Sequence, residues 1–166
     1  MQVFKKITII YILLSSFSTL NAQEGFIVGV GPTYEFNNEA VGVNGRLYYG
    51  VNEKFCFGPE ISFYPYQDID DEYEVSIIDL NINAHYIFEI TEKLGLYPLS
   101  GLNYTIERER LIEFNDNLLE EKELGLNYGL GAHYNLGGLF VFLEFKGIIG
   151  ELNDEFLTAG VLFRLF

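Results

Sequence analysis

Residues 78–88 read Ile78-Asp79-Leu80-Asn81-Ile82-Asn83-Ala84-His85-Tyr86-Ile87-Phe88. Apolar side chains fall at 78, 80, 82, 84, 86 and 88, with Asp79, Asn81, Asn83 and His85 between them. Successive side chains of a strand point to opposite faces, so a period of two describes a strand with one apolar and one polar face. Residues 55–66 repeat the pattern: Phe55, Phe57, Pro59, Ile61, Phe63 and Pro65 alternate with Cys56, Gly58, Glu60, Ser62, Tyr64 and Tyr66. So do residues 124–134, where Leu124, Leu126, Tyr128, Leu130, Ala132 and Tyr134 alternate with Gly125, Asn127, Gly129, Gly131 and His133.

Eight such segments are expected, at 25–36, 41–51, 55–66, 75–88, 94–106, 123–134, 139–149 and 156–166. Their connections alternate. Those at 52–54, 89–93 and 135–138 are short, and those at 67–74 and 107–122 are long and acidic. The connections at 37–40 and 150–155 fall on the side of the long ones. This predicts an all-β fold, an eight-stranded antiparallel up-and-down barrel, closed so that no edge is left to pair.

Alternation alone does not say which face is outside. The polar face is mostly Gly, Asn, Ser and Thr, with single charges at Arg46, Glu60, Asp79, Glu144 and Lys146. A surface facing water carries a quarter or more charged residues. The charge lies in the loops instead: five acids in 67–74, and seven acids with three bases in 107–123. The apolar face is therefore expected to meet lipid and the small polar residues to fill a narrow lumen, as in a transmembrane barrel. Tyr34, Phe36, Tyr49, Phe55, Tyr86, Phe88, Tyr104 and Tyr134 fall near strand ends, where aromatic girdles sit. A secreted lipocalin-like carrier with the apolar face inside is the inverted alternative.

The ends fit export. Lys5 and Lys6 precede the apolar run Ile7–Leu14, and small or polar residues follow to Ala22. Residues 1–22 read as a signal peptide and 23–166 as the barrel domain. The single Cys56 cannot form an internal disulfide, and a net charge of −14 argues against a nucleic-acid partner. The chain closes on Val161-Leu162-Phe163-Arg164-Leu165-Phe166. The expected outward series is Leu157, Ala159, Val161, Phe163 and Leu165, with Arg164 inward.

With these ends and this alternation, the chain resembles the small eight-stranded outer-membrane barrels of Gram-negative bacteria, of the OmpX and OmpA-transmembrane type. The resemblance implies a place in the outer membrane among its lipids and lipopolysaccharide. It implies a C-terminal strand, through Phe163 and Phe166, that the barrel-assembly machinery reads. It also implies a non-catalytic structural or surface role, adhesion- or defence-like. Eight strands enclose only enough room for side chains, so a plug of polar groups is expected rather than a pore. Counting back through the turn 52–54 sets Arg46 opposite Glu60, both inward. Asp79, His85, His133, Glu144 and Lys146 are candidates for a wider lumen network, with Arg164 a further possible member.

In 107–122, alternation persists through Ile106, Arg108, Arg110, Ile112 and Phe114 up to the turn-forming Asn115-Asp116-Asn117. Either a projecting ribbon that offers an edge to a partner protein or a charged loop satisfies this stretch. A lipid-modifying enzyme would need a Ser-His-acid cluster near the outer leaflet. The two histidines instead fall beside the short turns, so no catalytic residue is assigned. No cofactor or metal is expected: the acidic runs at 68–74 and 151–155 lack the spacing of a calcium loop. An acidic surface bridging through divalent cations to lipopolysaccharide phosphates, and a narrow channel, are the remaining alternatives.

Overall fold

Strands with one apolar face leave few architectures, and the chain takes a closed one. The computed structural model describes residues 25–68, 73–111, 117–151 and 153–165. The expected signal peptide and Phe166 lie outside these residues. Nine segments form a single antiparallel sheet: β1 (Gly25–Glu35), β2 (Ala40–Gly50), β3 (Phe55–Asp68), β4 (Tyr73–Tyr86), β5 (Phe88–Glu89), β6 (Leu94–Leu111), β7 (Asn117–Asn135), β8 (Leu139–Ile149) and β9 (Glu155–Leu165). The two residues of β5 continue β4 beyond Ile87 on the same partner, so the barrel has eight strands. Each strand pairs with its sequence neighbours, and β1 pairs with β9, which closes the ring.

The turns explain the short connections. Gly137 and Gly138 both take positive φ (96° and 110°), a region closed to most side chains. Asn135 Oδ1 accepts from both their amides, at 2.8 and 3.3 Å, and fixes the turn. In the wall, Gly58 lets two strands close up: a Cβ there would lie 2.0 Å from the Leu47 carbonyl oxygen.

The outward face is the apolar one. Val28, Val43, Ile61, Ile82, Leu102, Leu126 and Leu143 are all exposed, while Asn44, Asn81, Asn83, Asn103 and Asn127 on the opposite face are buried. Within the outer belt Tyr86–Phe88 and Tyr34–Phe36 meet edge to face and Phe55–Phe57 is tilted, with ring centroids 5.0, 5.1 and 6.3 Å apart. The barrel is therefore inside-out relative to a lipocalin-like carrier.

Two expectations need correction. The filling is not polar throughout: Ala40, Tyr64, Val75, Ile77, Ile148 and Phe156 form a buried apolar cap at the loop end. Alternation survives there, but apolar residues occupy the inward positions too. The strand limits also move. β6 and β7 run far past 106 and 123 and stay paired out to Arg110↔Asn117, and β4 accompanies β6 to Tyr73↔Leu111. The described part of 107–122 is thus a sheet and not a loop.

Candidate functional site

The lumen holds a compact charged cluster, built from alternate residues of β2, β3, β6 and β8. Arg46 and Glu60 are direct partners in the β2–β3 register, with Nη2 3.4 Å from Oε2. The shorter bond of Arg46 crosses the lumen, Nη1 to Glu144 Oε2 at 2.9 Å. Lys146 donates to Glu60 Oε1 at 3.0 Å. The phenols complete the set: Tyr48 donates to Glu60 at 2.8 Å and Tyr97 to Glu144 at 3.0 Å. Asn44 accepts from Arg46 Nε at 2.9 Å, and the guanidinium lies 4.3 Å from the centre of the Phe142 ring. Two cations face two carboxylates, which is how charge is tolerated away from water. Sequence reasoning missed Tyr48, Tyr97 and Phe142 because they read as ordinary strand formers.

The other lumen candidates divide. Asp79 is bonded to neutral partners, accepting from Thr105 at 2.7 Å and Asn103 at 3.4 Å, within an asparagine ladder that includes Asn81 and Asn127. His85 Nε2 is 4.0 Å from Glu144, and its ring stacks on Tyr97 at 4.7 Å. His133 lies on the far side of Tyr97, 6.0 Å between centroids. Both histidines line a vestibule of about 160 Å³ at the short-turn end, with Glu53, Lys93 and Arg164 at its mouth and Arg46 and Tyr48 at its inner end. Arg164 belongs to this mouth and not to the central cluster. Among the described residues, no three His, Cys, Asp or Glu side chains are placed to hold a metal ion.

At the other end, the extension has two chemically distinct faces. The β6–β7 register pairs Thr105 with Glu123 and Glu107 with Glu121. Thr105 faces the lumen, so Glu107, Glu109, Glu121 and Glu123 continue the lumen side. The outward side carries Arg108, Arg110, Glu120 and Lys122, with Arg108 bonded to Glu120 and Arg110 to Glu74, each at 2.6 Å. Arg110 also lies 3.8 Å from the centre of the Tyr66 ring. Partial burial, then Asp154 and Glu109, push the Glu107 carboxyl up to about 7. The β7–β8 ladder begins only at Leu126↔Ile149, so among the described residues β7 has no second ladder partner beyond the rim and forms an edge there.

This architecture recurs in solved structures. Ail, the attachment invasion locus protein of Yersinia pestis, is 13% identical with a TM-score of 0.63, over 88% of this chain and 100% of its own. The N-terminal barrel of Pseudomonas aeruginosa OprF is 18% identical with a TM-score of 0.66, over 87% and 100%. Neisserial surface protein A is 16% identical with a TM-score of 0.59, over 85% and 97%. At these identities the likeness is one of fold. No curated protein sequence matches the chain. The model of the outer membrane protein beta-barrel domain matches residues 9–161, and the chain belongs to that family and to the outer membrane.

Proposed function

We propose that this barrel works at the cell surface as a non-catalytic interaction protein that takes a cationic partner on the lumen-side face of its extension. The observation that carries the reading is the sorting of charge across one sheet. Four glutamates, at 107, 109, 121 and 123, share the inner face, and the bases stand on the outer one. The edge of β7 beyond the rim adds unpaired-ladder geometry that an extended segment can join, with the glutamates selecting its charge. The lumen supports the same reading. Arg46 bridges it from wall to wall, and its histidines lie at the end away from the extension.

The comparison with Ail sharpens the chemistry. That protein has been solved with the heparin analogue sucrose octasulfate, an anion. The present chain carries seven acids against three bases in residues 107–123, which suits a partner of the opposite sign.

The test is binding of poly-lysine and of heparin to the barrel in nanodiscs. Poly-lysine should bind, with affinity falling as salt rises. The combined variant Glu107→Gln, Glu109→Gln, Glu121→Gln and Glu123→Gln should lose that binding. Heparin binding in place of poly-lysine, or undiminished binding by the variant, would refute the proposal.

A further inference from the structure

The vestibule at the short-turn end is a cavity that neither the central ion pairs nor the extension uses, and all eight strands contribute to its wall. The inward row that carries asparagine deeper in the lumen, at 81, 83, 103 and 127, switches here to flat rings at His85, Tyr97 and His133. Five rings follow one another around the wall: Tyr48, His85, Tyr97, His133 and Phe140, with successive centroids 4.5, 4.7, 6.0 and 5.4 Å apart. His85 and Tyr97 are nearly parallel, with 9° between their planes. At these spacings each ring holds the next by stacked or edge-on contact. Leu162 and Ile27, on the next two strands, complete the circle.

Size and polarity define what fits. The free space is about 160 Å³, and a cavity of about 150 Å³ admits one benzene ring. The space has one polar point. His85 is 3% exposed, and its Nε2 has no hydrogen-bond partner among the described residues. Glu144 Oε2, at 4.0 Å, is out of hydrogen-bond reach. A buried polar atom without a partner costs free energy, which a hydroxyl brought to it recovers. The surrounding charges select a neutral group. A carboxylate brought to His85 would stand against Glu144, and an ammonium would meet the Arg46 guanidinium at the same inner end. At the mouth, Glu53, Glu89 and Glu92 stand among Lys93 and Arg164, so neither sign is drawn in strongly.

We propose that the vestibule binds one neutral monocyclic phenol, its ring inside the circle of aromatic side chains and its hydroxyl on His85 Nε2. The ligand enters from the periplasm, the side that the short turns of such barrels face. The Arg46–Glu144 bridge and the apolar cap close the lumen beyond it. The site is independent of the proposed cationic-partner face, which lies at the other end of the barrel.

The test is a titration of the isotope-labelled barrel in micelles, read by amide chemical shifts, with phenol, cyclohexanol and benzoate as probes. A probe that only enters the micelle shifts signals along the whole outer wall without saturating. Phenol should shift those around residues 85, 97 and 133 and saturate. Cyclohexanol keeps the hydroxyl without the flat ring, and benzoate keeps the ring with a charge; each should bind about tenfold more weakly. His85→Phe keeps the ring stack and removes the nitrogen, and should weaken phenol about tenfold. Leu162→Trp, which fills the space, should abolish binding, and Tyr64→Phe, in the cap, should leave it unchanged. Heat-modifiable migration on gels shows that each variant has folded. No saturable shift with phenol, equal affinity for cyclohexanol or benzoate, or undiminished binding by His85→Phe would overturn the proposal. The three probes on the wild-type chain decide it even if a variant does not fold.

Discussion

The lumen and the extension both join arginine to glutamate, and the comparison separates geometry from energy. Arg46 and Glu144 meet at 2.9 Å with side chains about 1% exposed. Arg108 and Glu120 meet at 2.6 Å, a shorter contact, with side chains 39% and 36% exposed. The exposed pair exchanges good hydration for a screened attraction, whereas breaking the buried pair strands a charge where water cannot reach it. Distance therefore ranks the two the wrong way round. The lumen pairs hold the barrel together, and the extension pairs leave their charges available.

The sharpest way to break that comparison is at Arg46. Arg46→Met leaves Glu144 without its cation and weakens the hold on Glu60, and should cost roughly 3–5 kcal/mol. The urea midpoint of the barrel folded into lipid vesicles reads this. Adding Glu144→Gln should recover part of the loss, since the stranded charge goes with it. A midpoint unchanged by Arg46→Met would mean that the lumen is wetter than its burial indicates.

A smaller effect is expected at Glu107, and its sign is opposite to that of an ion-paired acid. The folded value of about 7 lies above the ordinary 4.5, so between these limits the folded state binds more protons than the unfolded one. Stability of the extension should then be greatest below the window and fall as pH rises through it. Hydrogen exchange of the β6 and β7 amides beyond the rim should quicken between pH 5 and 8, relative to the rise intrinsic to the chemistry. Glu107→Gln should remove that excess, and lumen amides should not show it.

The smallest effect belongs to Arg108→Ala. Both partners of this pair stand in solvent, so the urea midpoint should not move measurably. A loss comparable to that of Arg46→Met would erase the distinction between the two regions.

The same contrast explains what could be read from the sequence. Strand number, order and the outward face follow from period-two alternation, because each strand reports its own two faces. The Arg46–Glu60 register can be counted off, since a three-residue turn fixes it. The Arg46–Glu144 bond cannot, because a contact across the lumen depends on how far the strands are sheared around the ring. The apolar cap was hidden for another reason: Val75, Ile77, Ile148 and Phe156 sit at inward positions where composition alone suggested polar filling. The two faces of the extension were present in the alternation of residues 106–114. Their meaning emerged only once the register set Glu107 beside Glu121.

The division of labour between a holding lumen and an acting extension is tested most directly by removing the second. Residues 107–121 are replaced by a two-residue Asn-Gly turn joining Ile106 to its register partner Lys122. The shortened chain should fold in detergent with the wild-type shift between heated and unheated bands and an unchanged urea midpoint, and it should no longer bind poly-lysine. Failure to fold would show that the extension is part of what holds the barrel together. Intact poly-lysine binding would show that the acting surface lies elsewhere.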